Sequence, residues 1–196
     1  MCIRDRGVFG GLGLAAVELG KLMGARVIAA ASNEEKLATA RDHGADESVL
    51  YDAAGLDRDG QKALSQKLKD LTDGKGVDVA YDPVGGSYSE PVVRAMGWNG
   101  RFLVVGFAAG DIPRIPLNLA LLKSCQLVGV FWGLFSTTHV EQSQKNLQQI
   151  ADWVQDKTLR PFVSETFPLA KAAAALEHMA ARKARGKIVI LMEGAA

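Results

Sequence analysis

Cysteine is nearly absent: Cys2 and Cys125 are the two thiols of a 196-residue chain. They lie far apart in sequence and match neither a zinc nor a redox spacing, so no disulfide framework is implied and a cytoplasmic, reducing setting is the expectation. Histidine occurs three times, at His43, His139 and His178, with no Cys/His cluster that would hold zinc and no Ser-His-Asp arrangement. An excess of either charge is also missing. Lys and Arg number 23 against 22 Asp and Glu, and a net charge of +1 favours neither nucleic acid nor an anionic membrane. No apolar run approaches the roughly 20 residues of a membrane span. No apolar core follows Met1–Arg6 as it would in a secretory leader. Repeats and low-complexity stretches are lacking too. What is present is a 48% hydrophobic composition with 21 glycines, enough for the core of one domain, or of one domain plus a fragment.

The most informative stretch is Gly7–Gly13, G-V-F-G-G-L-G, which runs into Leu14–Met23. Leu12, Ala15, Ala16, Leu19 and Met23 follow helical spacing, and Gly24 is a natural stop. A glycine turn that opens a helix brings free N–H groups and a partial positive charge close to a phosphate. The apolar run Arg26–Ala31 follows as a strand, which completes most of a dinucleotide-binding βαβ unit. Two departures stand out. In the best G-x-G-x-x-G register the first position is Val8, ahead of Gly10 and Gly13. The strand that should precede the turn is Met1–Arg6, whose successive charges Arg4, Asp5 and Arg6 exclude it as a buried central strand.

Downstream, strands and helices alternate. Ser32 or Asn33 caps a helix that ends at His43-Gly44, and Glu47–Tyr51 is a short strand. Leu64, Leu68 and Leu71 space a helix that stops near Gly74. Val77–Tyr81 is a strand closed by Asp82–Gly86, and a helix from about Tyr88 to Met96 accommodates Pro91 in its first turn. Arg101–Val105 and Gln126–Phe131 are strands on either side of a short helix, Leu117–Lys123. This alternation predicts an α/β fold: a parallel sheet with helices on both faces. The last third differs. Leu147, Ile150, Ala151 and Val154 mark a long amphipathic helix, Leu159–Phe167 reads as a connector, Leu169–Ala180 carries a second helix, and Lys187–Met192 is a closing strand.

Four segments in order carry a resemblance: Gly10–Gly13, Tyr81–Gly86, Gly100–Phe107 and Val130–Gly133. Together they resemble the zinc-free, zeta-crystallin-like quinone oxidoreductases of the medium-chain dehydrogenase/reductase superfamily, over Gly7 to about Met192. The resemblance implies a Rossmann-type doubly wound parallel sheet lacking a proper first strand, plus the C-terminal remnant of a GroES-like catalytic domain. It divides the chain into a non-native head (1–6), an NADP-binding Rossmann domain (7–158) and a return segment of the catalytic domain (159–196), with the N-terminal catalytic half missing. The implied reaction is hydride transfer from NADPH to a quinone or a similar conjugated carbonyl. The intact parent would be a homodimer, joined through the edge strand Gln126–Phe131. The chain alone would fold poorly and be inactive. An enoyl reductase or a zinc alcohol dehydrogenase of the same superfamily is the rival enzyme reading, and a nucleotide-binding module without catalysis the rival from another class.

Candidate cofactor residues follow. Gly10, Gly11, Leu12 and Gly13 form the phosphate turn. About 20 positions on, where NAD-binding units place an acid, stand Ser32 and Asn33, which do not repel a 2′-phosphate. Lys36, one turn into the next helix, supplies positive charge. The resemblance adds Tyr51 and Arg182 around that phosphate, Val84 and Gly106, Phe107 and Ala108 along the cofactor, and Val130, Phe131 and Trp132 beside the nicotinamide. His43 reads as a helix C-cap, and His139 and His178 as residues of surface helices. No catalytic residue and no metal ligand is assigned, because hydride transfer needs positioning more than a protein nucleophile.

Overall fold

The computed structural model describes residues 2–4, 11–52, 54–181 and 186–192. The elements run β1 (Cys2–Arg4), α1 (Gly11–Leu22), β2 (Ile28–Ala31), α2 (Glu34–Asp42), β3 (Glu47–Leu50), α3 (Arg58–Asp70), β4 (Val77–Asp82), α4 (Ser89–Arg94) and β5 (Met96–Val104). They continue through α5 (Asn118–Lys123), β6 (Gln126–Gly129), α6 (Trp132–Thr138), α7 (Val140–Gln155), β7 (Val163–Pro168), α8 (Ala172–Ala180) and β8 (Lys187–Leu191). Strands β1 to β6 form one sheet in the order β3-β2-β1-β4-β5-β6, every pair parallel. That order is the doubly wound order of dinucleotide-binding sheets.

The continuous apolar run in β2 shows why both faces are covered. Ile28 and Ala30 pack with Leu64, Leu68, Val92 and Phe102, on the face of α3 and α4. Ala29 and Ala31 pack with Leu14, Val17, Leu37 and Ala40, on the face of α1 and α2. A strand buried on both sides reads as an unbroken hydrophobic segment. The helices start where side chains can satisfy their free amides. Asn33 accepts from the Lys36 N–H at 2.9 Å to open α2. Asp57 accepts from the Gly60 N–H at 2.8 Å to open α3. Pro91 is the third residue of α4, within the first turn as expected.

One sequence expectation is overturned at the sheet centre. Cys2–Arg4 is a central parallel strand: Cys2 pairs with Ile28 and Ala80, Ile3 with Ala29 and Tyr81, and Arg4 with Ala30. The physical reason lies in its neighbours, because β2 and β4 each present a row of backbone donors and acceptors that must be met. Cys2, Ile3 and Arg4 bridge them, so the expected empty slot does not arise. Met1, Asp5 and Arg6 lie outside the described residues.

A second correction concerns Leu159–Phe167, expected as a connector. Its latter part enters β7, which pairs in parallel with β8 as a separate two-stranded sheet. Pro161 precedes β7 and Pro168 ends it, so neither interrupts the ladder. The edge strand β6 is shorter than expected, stopping at Gly129, and Trp132–Thr138 forms the helix α6 that the sequence reading did not separate from its surroundings. Among the described residues no helix is long and apolar enough to cross a membrane.

Candidate functional site

In open parallel sheets, ligands bind beyond the carboxyl ends of the strands, at the point where the strand order reverses. Here that point lies beside β1, between β2 and β4. Helix α1 starts there at Gly11, with no acidic side chain in its first turn and Lys21 in its last. Gly13 is buried, whereas Leu12 is 54% exposed. The first N–H groups of a 12-residue helix are thus offered without a competing carboxylate from that turn. Gly10 lies outside the described residues.

The end of β2 forms one side of the crevice. Ser32 follows Ala31 and is half-buried, and Asn33 is exposed with its side-chain oxygen engaged on the Lys36 N–H. The Lys36 side chain belongs to the next turn and is half-buried. Tyr51 is brought to the same strand end, because its N–H donates to the Ala31 carbonyl at 3.0 Å. Its ring is turned into the core, 5% exposed and 4.8 Å from the Tyr88 ring. Glu34, the nearest acid on α2, is taken up by Arg41 at 2.6 Å. Arg182 lies outside the described residues.

The other side is built from the loops after β4, β5 and β6. The first two loops are laced together by backbone hydrogen bonds. The Val105 N–H donates to the Asp82 carbonyl at 3.0 Å, Ala108 to Pro83 at 3.1 Å, Ala109 to Val84 at 2.8 Å, and Gly86 to Asp111 at 3.0 Å. Val84 is fully buried, while Phe107 is 41% exposed. Gly106 is half-buried beside Phe107, and Ala108 is exposed. The third loop is held alongside by the Val130 N–H, which donates to the Val104 carbonyl at 2.9 Å. Phe131 and Trp132 then stand open at 75% and 52% exposure, at the start of α6. Trp132 leads an aromatic row along that helix, 5.6 Å from Phe135, which stacks on His139 at 5.3 Å.

Sequence reasoning did not single out Asp82 or Ser89. Asp82 is buried at the carboxyl end of β4, and its carboxylate accepts from the N–H groups of Val84 and Gly85 and from the Ser89 hydroxyl. The available signal was Asp82 itself, an aspartate opening a Pro/Gly turn, which bonds the backbone two residues on.

The histidines fall into structural settings. His43 caps α2 through its own N–H, and its Nδ1 lies 2.6 Å from Glu18. His139 sits at the exposed junction of α6 and α7, beside the Thr138 hydroxyl. His178 lies on α8, 2.9 Å from Glu165. Burial pushes the Cys125 thiol above its ordinary value. Among the described residues no group of three or more His, Cys, Asp and Glu side chains gathers in a metal-holding arrangement.

Comparison with known proteins matches residues 11–155 to the family described as zinc-binding dehydrogenase. The quinone oxidoreductase-like protein 2 homolog of Nematostella vectensis is 35% identical over 183 residues, covering 92% of this chain and 48% of its own length. The quinone oxidoreductase-like protein 2 of Rattus norvegicus is 32% identical, covering 94% of this chain and 51% of its own. The chain therefore spans about half the length of the curated relatives it matches. Among solved structures, a mycobacterial quinone oxidoreductase superposes with a TM-score of 0.83 at 27% identity, over 97% of this chain and 56% of that one. A mycobacterial protein complexed with NADPH superposes with a TM-score of 0.80 at 27% identity, over 97% of this chain and 57% of that one. With the doubly wound sheet, the glycine-opened helix at its centre and these matches together, the chain belongs to the zinc-binding dehydrogenase family, in the quinone oxidoreductase branch of the medium-chain dehydrogenase/reductase superfamily.

Proposed function

We propose that this chain is the coenzyme-binding portion of an NADPH-dependent quinone oxidoreductase, with residues 7–158 as the nucleotide domain and 159–196 as a segment returning to a catalytic domain. The observation that carries the reading is what stands at the carboxyl end of β2, beside the N-terminus of α1: a hydroxyl, an amide and a lysine in place of an acid. NAD-binding folds put a carboxylate there to hold the ribose 2′-OH. Ser32, Asn33 and Lys36 suit a 2′-phosphate instead, because none repels it and Lys36 attracts it.

The residues present fit such a dinucleotide in their donor chemistry. The N-terminal amides of α1 receive the pyrophosphate, and the laced loops Pro83–Gly86 and Gly106–Ala109 bound the other half of the molecule. When bound, NADPH supplies the hydride. The chain's own groups fix the orientation of the coenzyme, and Phe131 and Trp132 cover the nicotinamide side from water. The electron-accepting substrate is a quinone or a conjugated carbonyl, in line with the names of the relatives.

The edge strand β6 carries Leu127 and Val128 with no further strand beside it among the described residues. We take this edge as the dimer contact of the longer protein, since exposed apolar edges invite pairing. The test is a protein extended to the length of its relatives, assayed for NADPH oxidation with a simple quinone and sedimented at micromolar concentration. Turnover and a dimer are expected. Because β1 fills the sheet centre, the ground for expecting the 196-residue chain to fold poorly falls away, and for that chain alone the expectation is coenzyme binding without turnover. Failure of the chain to bind NADPH would overturn the reading.

A further inference from the structure

The loops after β4 and β5 have one residue at their root. Asp82 is 3% exposed at the end of β4. One carboxylate oxygen accepts from the Val84 N–H at 2.9 Å and the Gly85 N–H at 3.1 Å. The other accepts from the Ser89 hydroxyl at 2.6 Å, and Ser89 is itself fully buried. A buried carboxylate is costly unless its lone pairs are met, and here three donors converge on it.

What Asp82 holds is a turn that only glycine can make. Gly85 has φ +71 and ψ −150, a region that is essentially reserved for glycine. A Cβ there would meet the Phe107 ring at 2.9 Å. Phe107 belongs to the second loop, so the two loops touch through side chain as well as through the backbone bonds Ala108 to Pro83 and Ala109 to Val84.

We infer that Asp82 is a positioning residue for the half of the dinucleotide that lies over β4 and β5. Its carboxylate sets the Pro83–Gly86 turn, and through that turn the Gly106–Ala109 loop, in the shape that receives the nicotinamide end. This rests on the coenzyme reading above. The half held at Ser32, Asn33 and Lys36 lies across the crevice, so Asp82 acts on one end of the ligand only.

That asymmetry supplies the test. NADPH and adenosine 2′,5′-bisphosphate, which lacks the nicotinamide end, are titrated calorimetrically against the 196-residue chain and against Asp82→Ala, Asp82→Asn and Ser89→Ala. Asp82→Ala should weaken NADPH about tenfold or more, the scale of an unmet buried donor, and leave the bisphosphate unchanged. Asp82→Asn keeps an acceptor for Val84 and Gly85 and an amide for the Ser89 oxygen, so NADPH affinity should return to within about threefold. Ser89→Ala should fall between them, and it carries the test if Asp82→Ala does not fold. Hydrogen exchange of the ligand-free proteins gives a second readout. In the alanine variants the amides of Val84, Gly85, Ala108 and Ala109 should all exchange faster. Equal weakening of both ligands would reduce Asp82 to a general fold residue and overturn the proposal. So would faster exchange confined to Val84 and Gly85. If the parent chain binds neither ligand, the coenzyme reading fails, while the exchange data still decide whether Asp82 couples the two loops.

Discussion

The ring of Phe162 stands edge-on to the imidazole of His43, with centroids 5.2 Å apart and planes at 68°. Phe162 precedes β7, whereas His43 caps α2 and lies 2.6 Å from Glu18 of α1. The contact therefore fastens the small β7–β8 sheet to the α1 and α2 face of the large one, where Phe162 also packs against the Leu14, Val17 and Leu37 cluster. Phe162→Ala should cost about 2 kcal/mol, less than a fully buried phenylalanine because the ring is half-buried. A urea melt at unchanged slope reads this as a lower midpoint. An unchanged midpoint would mean that the two sheets are held together by other contacts.

Acid should loosen the joint between α1 and β3. Asp46 is held below the usual carboxylate value by its hydrogen bond from Lys21 first, and by the Val27 N–H second. A carboxyl whose value is lowered by folding stabilises the protein above its unfolded value and ceases to do so as pH falls through the lowered one. Asp46→Asn keeps the acceptor for Val27 and removes the ion pair. Both partners are about one-third exposed, so the loss at pH 7 should be on the order of 0.5 kcal/mol. Chemical melts of parent and variant at pH 7 and near pH 3 check this, and the difference should shrink at the lower pH. A difference that grows on acidification would contradict the assignment.

Gly76 opens β4 with φ +83, and a Cβ on it would stand 2.6 Å from the Gly97 nitrogen. The clash is with backbone, which cannot swing aside. Gly76→Ala should cost about 3 kcal/mol or more, through strain and displacement of the β4–β5 start. Thermal melting reads it directly, and a change within a degree or two would show that the strand ends yield easily.

Coenzyme choice is expected to turn on Ser32. The parent chain should bind NADPH in preference to NADH, and Ser32→Asp should abolish the preference by charge repulsion. Lys36→Ala should weaken NADPH by about 1.5–3 kcal/mol and leave NADH nearly unchanged. Equal affinity of the parent for the two coenzymes would rule this out.

Much of the large sheet was readable from local chemistry. The Arg26–Ala31 run reads as a strand, which the structure keeps as Ile28–Ala31, and of the two candidate caps Ser32 and Asn33 the structure uses Asn33, while His43-Gly44 marks the end of the same helix. The parallel sheet followed from the alternation of elements, and its doubly wound order from the resemblance. Cys2–Arg4 was not readable, because its place is decided by the unmet edges of β2 and β4 rather than by its own residues. β7 was hidden for a related reason: its partner β8 is some twenty residues on, across α8. Of the proposed coenzyme residues, Ser32 and Lys36 are reached by counting from Gly13. The lacing of the two loops could not, since backbone-to-backbone bonds leave no mark on residue type, and Asp82 was passed over with them.

The place of β1 in the sheet bears on how the chain assembles. Along the backbone ladder of the described residues, β3 and β2 meet β4, β5 and β6 only through Cys2, Ile3 and Arg4. Each wing is made from strands adjacent in sequence, so each can form early and cheaply, whereas the join brings together Cys2 and Ala80 from distant points of the chain. The seam is then the last part of the sheet to close and the first to open. Because the crevice lies across that seam, a dinucleotide reaching from one wing to the other acts as a clamp on it, and the saturated protein should resist unfolding most where the bare protein resists least.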